Sequence, residues 1–235
     1  MVKIVNIKGR QVFDSRGNPT VEADVTLSDG SVGSAIVSSG ASTGFNEAHE
    51  LRDKNLKYKN KSVFKAVKNI NSTIFKSLRN QNPYNQKKID NILIDLDGSK
   101  NKSKLGANAI LAVSIANCKA SAVSQKKEIY EYLSVSKKYS LPYPMMNIIN
   151  GGVHANNSLQ IQEFMIRPDK AKNFSEAIRM CFLVIHELKK EIGKKFHTTV
   201  GDEGGFAPNL KKDEHAIILI NKAIKKVGFD PSIVF

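Results

Sequence analysis

Four short segments carry side chains whose types and spacing suit chemistry. The loop Ser38-Ser39-Gly40-Ala41-Ser42-Thr43-Gly44 is built of small residues, and its glycines let hydroxyls and backbone oxygens approach a ligand or metal. Alone, it is a plain flexible loop more often than a site. Asn150-Gly151-Gly152-Val153-His154 puts a histidine after a glycine pair, unremarkable without a partner. Glu163 adjoins the apolar run Phe164-Met165-Ile166, where partial desolvation would suit a carboxyl to proton transfer. In Val200-Gly201-Asp202-Glu203-Gly204-Gly205 two adjacent acids are enclosed by glycines. That pattern makes either a turn or an acid site, but not a calcium loop, because the alternating oxygen ligands and distal glutamate are absent.

Such groups need rigid elements to aim them. Val2 to Asp14, Val21 to Ser28 and Ser31 to Val37 read as strands, and Asp29-Gly30 is a two-residue hairpin signal, so an antiparallel meander opens the chain. Val63, Val67, Ile70, Ile74 and Leu78 recur at helical spacing, and another helix starts near Gln86. Gly106 to Val123 is uniformly small and apolar, the pattern of a helix buried on most sides. The turn-rich stretch Ser134 to Pro144 is the expected boundary, giving domains 1–134 and 141–235. After it, short runs (Met145 to Ile149, Gln162 to Ile166, Thr198 to Val200) deliver polar residues beside glycines. A helix at Asn173 to Lys194 lies between the last two, with Ile178, Cys181, Phe182, Ile185 and Leu188 on one face, and a further helix follows at Asp213 to Val227. Strand ends that present charged groups are how barrel enzymes build active sites. The second domain is too short for a whole barrel, which takes about 250 residues.

Composition bounds the rest. With 235 residues, 41% apolar and 25% charged, the chain is globular rather than disordered. Cys118 and Cys181 show no paired-cysteine spacing and read as small core residues of a reducing compartment. The N-terminus alternates like a strand, and no apolar run is long enough to span a membrane, so a cytoplasmic protein is expected. A net charge of +14 favours anionic partners. The lysines look scattered, however, which makes a solvated surface the expectation and nucleic acid a disfavoured partner.

Taken in order, the blocks form a pattern. Asp14 to Glu22, Ser39 to Gly44, Leu96-Asp97-Gly98 with Lys102 to Leu111, Asn150 to Asn157, Gln162 to Ile166 and Gly201 to Asn209 closely resemble the enolase family over nearly the whole chain. The resemblance implies an α+β N-terminal domain followed by the first part of an α/β TIM barrel. It also implies reversible dehydration of 2-phosphoglycerate to phosphoenolpyruvate with two Mg2+ ions per site. It matches Glu203 to the general acid, His154, Gln162 and Glu163 to substrate-pocket residues, and Ser39 to the loop serine that reaches the second Mg2+. It suggests Asp202 and Glu163 around Glu203, and Arg16 and Glu22 as ion-pair partners near a subunit contact of a dimer or larger homo-oligomer.

What the resemblance cannot supply here also matters. The first ion's carboxylate ligands and the lysine base belong to later barrel strands than those in this sequence. Ser38 stands where the loop usually has proline, and Lys54 to Lys61 replace an acidic turn. The alternative reading is therefore a catalytically silent enolase-like binding protein. It would show salt-sensitive polyanion binding instead of protection by Mg2+ and substrate.

Overall fold

A computed structural model describes residues 1–40, 44–136, 138–201 and 203–231. Two compact units divide the chain, Met1–Lys137 and Lys138–Phe235. Ala41, Ser42, Thr43 and Asp202 lie outside the described residues, so the rest of the serine-threonine loop and the proposed neighbour of Glu203 are not placed.

The first unit opens with β1 (Ile4–Phe13), β2 (Pro19–Leu27) and β3 (Val32–Val37), an antiparallel sheet in sequential order. Val21, Ala23, Val25 and Leu27 alternate inward along β2, the period of two that a sheet with one buried face imposes. Gly30 takes the left-handed conformation (φ 86°) that the Asp29-Gly30 turn requires. Arg10 stands opposite Glu22 in the register and pairs with both Glu22 and Asp24. Cross-strand register brings Arg10 to the carboxylates, while Arg16 belongs to the following turn and donates to the Ser39 carbonyl.

Then come α1 (Phe64–Asn69), a π-helical turn (Ile70–Ile74), α2 (Phe75–Leu78), α3 (Gln86–Asp97), α4 (Ala107–Ser124) and α5 (Ile129–Leu133). The buried Asp53 carboxylate accepts from the Phe64 and Lys65 amides, 2.7 and 3.0 Å, and so caps the free N–H groups of α1. The small residues of α4 let it lie on the sheet. A Cβ added at Gly33 of β3 would sit 2.2 Å from the Ala116 carbonyl oxygen and from the Ala120 nitrogen. The core between sheet and helices includes Ile4, Val25, Leu27, Ile70, Leu93 and Val113.

The second unit contains β4 (Met146–Asn150), a 3-10 turn (Gly152–His154), β5 (Glu163–Ile166), α6 (Phe174–Gly193) and α7 (Asp213–Lys226). β4 and β5 run antiparallel. On the other side of β4, Ile149 forms a parallel bridge with Phe206, and Val200 meets Phe206 in an antiparallel bridge. The run at 198–200 thus contributes a bridge instead of a full strand. No closed barrel forms among the described residues.

Helices α6 and α7 pack through Cys181, Val184, Leu188 and Ile192 against Ala216, Ile220 and Ala223. Phe182 and Ile178, expected on the packed face, are exposed. The apolar stripe of α6 is wider than the surface α7 covers, and Phe182 instead lies against His186, ring centroids 4.2 Å apart. Beside this seam the Glu191 side chain is 1% exposed and bonded by Lys222 (2.7 Å), Lys226 (2.6 Å) and Lys194. Those ammonium groups hold its carboxyl well below the usual carboxylate range. No helix among the described residues is long and apolar enough to cross a membrane.

Candidate active site

β4 is the central support of the site. Its Asn150 amide donates to the Phe206 carbonyl at 2.9 Å, and the Phe206 amide donates to the Ile148 carbonyl at 2.9 Å. Those bonds draw Phe206 and the preceding Gly205 alongside the strand end. The approach is so close that a Cβ on Gly205 would lie 2.2 Å from the Asn150 side-chain oxygen. Only glycine fits there. On the opposite edge, the Gly151 amide donates to the Gln162 carbonyl at 2.9 Å, which brings the start of β5 level with the 3-10 turn.

Three of the candidate side chains meet as a result. Single ligand atoms of His154, Glu163 and Glu203 all lie within 4.8 Å of one another. His154 Nδ1 is 3.5 Å from Glu203 Oε1 and 3.9 Å from Glu163 Oε1. The imidazole is 5% exposed, against 34% for the Glu163 side chain and 40% for Glu203. A buried ring therefore forms the floor, and two carboxylates open to solvent form the rim. His154 Nδ1 has no hydrogen-bond partner, an unusual condition for a buried polar atom.

Asn147, which the sequence did not single out, completes this arrangement. Its amide donates to Glu203 Oε2 at 3.0 Å, leaving Oε1 directed toward His154. The only sequence signal is a polar residue interrupting the apolar run of β4. The Asn150 amide is also fully buried with neither side-chain atom paired, so the strand end carries several polar groups that protein partners leave free.

Gln162 directly precedes Glu163, and its side chain is exposed. Ser39 belongs to the first unit, where its hydroxyl donates to Glu50 (2.7 and 2.9 Å to the two oxygens) and accepts from Arg52 Nη2 at 2.6 Å. Arg52 also bonds Glu50 at 2.7 Å and the carbonyls of Pro19 and Lys61, so one guanidinium fixes the Ser39 hydroxyl, Glu50 and two neighbouring chain segments.

The triad is, among the described residues, the group of acids and histidine that converges closely enough for a shared ion. Its donor set is mixed, an imidazole nitrogen with carboxylate oxygens. Mg2+ demands near-octahedral oxygen coordination, so these residues do not fit it as a ligand set. Imidazole with carboxylate suits transition ions better. The arrangement is better matched to proton transfer and to binding a polar substrate.

Comparisons with known proteins agree with the blocks read from the sequence. A family model described as the enolase N-terminal domain matches residues 4–133. One described as the enolase C-terminal TIM barrel domain matches residues 138–235. The enolase of Pelagibacter ubique (strain HTCC1062) is 58% identical over 231 residues, covering 97% of this chain and 55% of the relative. The chain thus spans about half the length of the curated relative it matches. On the strength of these matches over nearly all of its length, the chain belongs to the enolase family.

Proposed function

We propose that this chain carries the acid half of a phosphopyruvate hydratase site, with 2-phosphoglycerate as substrate and phosphoenolpyruvate and water as products. The observation that carries the reading is the convergence of His154, Glu163 and Glu203 within 4.8 Å, on segments that match the enolase family.

Dehydration of a 3-hydroxy acid has two obstacles. A proton beside a carboxylate must be removed, and hydroxide is a poor leaving group unless it departs as water. The second falls to Glu203. With Oε2 accepting from Asn147, Oε1 is the oxygen that delivers a proton to the departing hydroxyl. His154 lies beside that oxygen and Glu163 beside His154, where they orient the substrate hydroxyl by hydrogen bonding, and Gln162 contributes a contact from the adjoining position. General acid catalysis of this kind is worth about 10² to 10⁴ in rate. Ser39 belongs in this reading to a loop that responds to ligand arrival. Its hydroxyl must leave Glu50 and Arg52 before it can bind anything else. A family that uses Mg2+ requires oxygen ligands beyond the triad, and the 235 residues alone are proposed not to complete the site. The working protein is proposed to be a homo-oligomer.

The test is formation of phosphoenolpyruvate from 2-phosphoglycerate and Mg2+ by the purified chain, alone and with a polypeptide corresponding to the remaining part of the relative. Product only in the mixture is expected. Product from the chain alone contradicts the half-site reading, and no product from the folded mixture contradicts the assignment of the triad.

A further inference from the structure

Several carboxylates of this basic chain, net charge +14, sit against cationic side chains. Glu191 holds three lysines, Glu22 and Asp24 share Arg10, and Glu50 holds Arg52. Glu163 and Glu203 differ. Among the described residues neither is paired with a lysine or arginine, and the basic group beside both is His154 Nδ1. Two carboxylates brought together without a cation disfavour each other's charge, and a cation placed between them relieves this.

The imidazole supplies an observation independent of the acids. His154 is buried, and its Nδ1 lacks a hydrogen-bond partner, whereas such an atom is ordinarily satisfied. The spacing around it is that of a coordination sphere. Two ligand atoms bound at about 2.0–2.2 Å to a tetrahedral Zn2+ stand about 3.4 Å apart, and His154 Nδ1 lies 3.5 Å from Glu203 Oε1. Glu163 Oε1, at 3.9 Å, needs a shift of about half an ångström to reach the same tetrahedral spacing. Its side chain is partly open to solvent and free to make it. Asn147 holds the other oxygen of Glu203 at 3.0 Å, the kind of outer hydrogen bond that orients a ligating carboxylate.

We propose that His154, Glu163 and Glu203 bind one transition-metal ion of the Zn2+ class, through Nδ1 and one oxygen of each carboxylate. Three nitrogen and oxygen ligands with a fourth position open to water suit Zn2+, whereas Mg2+ asks for near-octahedral oxygen. This ion takes no part in dehydration. Held on Oε1 of Glu203, it occupies the oxygen that would deliver the proton, so ion and acid exclude one another and the ion keeps the site silent. The ion site rests on the geometry of three side chains. Only the silencing rests on the proposed dehydration.

The experiment titrates the metal-free 235-residue chain with ZnCl2 by calorimetry, in buffer holding a large excess of Mg2+. Titration with Co2+, whose visible absorption reports coordination by protein ligands, accompanies it. Saturable binding of one Zn2+ per chain is expected despite the Mg2+. Loss of an outer partner typically weakens metal binding 10- to 100-fold, so Asn147→Ala should cost about tenfold, and Glu163→Gln with Glu203→Gln more than about 100-fold. Both glutamates lie on the solvent-open rim, and circular dichroism checks that the double variant stays folded. His186→Gln, on α6 against Phe182, should bind Zn2+ as the unaltered chain does. Unchanged binding in the double variant, or an equal loss in His186→Gln, would mark capture by surface histidines and overturn the proposal. Displacement by Mg2+ or the absence of saturable binding would overturn it as well. No substrate is present, so the outcome is separable from the dehydration reading: near-normal turnover by Glu203→Gln in an extended chain sinks the acid assignment and leaves the ion site standing, and failure to bind Zn2+ does the reverse.

Discussion

His154 Nδ1 lies 3.5 Å from Glu203 Oε1, on the side of the carboxyl away from the Asn147 bond. That relationship gives the two oxygens different tasks. One is anchored to β4, and the other is presented beside a buried imidazole nitrogen that has no partner of its own.

Asn147 is then proposed to act through Glu203 as a positioning residue. In a chain extended to the length of its relatives, Asn147→Ala is expected to lower kcat by roughly two- to tenfold, since a hydrogen bond between neutral groups contributes about 0.5–1.5 kcal/mol. KM should change little. Steady-state kinetics decide the point, and an unchanged kcat would remove Asn147 from the site.

Close packing of β3 on α4 makes a second expectation. Gly33→Ala places a methyl group 2.2 Å from two backbone atoms of α4, which cannot rotate away as a flexible side chain would. Overpacking of this kind costs about 1–3 kcal/mol. Urea unfolding of the chain should show the loss, whereas Gly44→Ala, with nothing near its added Cβ, should leave stability almost unchanged.

The buried Glu191 carboxylate predicts an acid-dependent loss of stability. Because the lysines hold its folded-state value below the ordinary one, its contribution is complete above the unfolded carboxyl value of about 4.3. It drains away as pH falls below that. Unfolding free energies of the chain and of Glu191→Gln should therefore differ by a constant amount above about pH 5 and converge on acidification. A gap that widens toward acid would contradict the ion cluster.

Much of the first unit was legible because its signals are local. Asp29-Gly30 sets one turn, alternation sets β2, and a run of small residues marks α4. Within the site, glycines flanking His154 and Glu203 advertised close backbone approach. What the sequence hid was the pairing of distant residues. Asn147 and Glu203 are 56 positions apart, and nothing local in β4 shows that its asparagine faces an acid loop. Lys226 reaches Glu191 from 35 positions away, across a helix seam that periodicity alone does not orient. The same gap explains α6, whose apolar stripe shows that it packs but not which edge stays open at Phe182.

We propose that Glu203 supplies the proton for departure of water, and turnover by Glu203→Gln in the extended chain is the measurement that decides it. The side chain keeps its size and its contact with Asn147 but loses the acid. Turnover of 2-phosphoglycerate should fall by about 10² to 10⁴ while binding of the substrate is retained. Near-normal kcat in the folded variant would contradict the assignment.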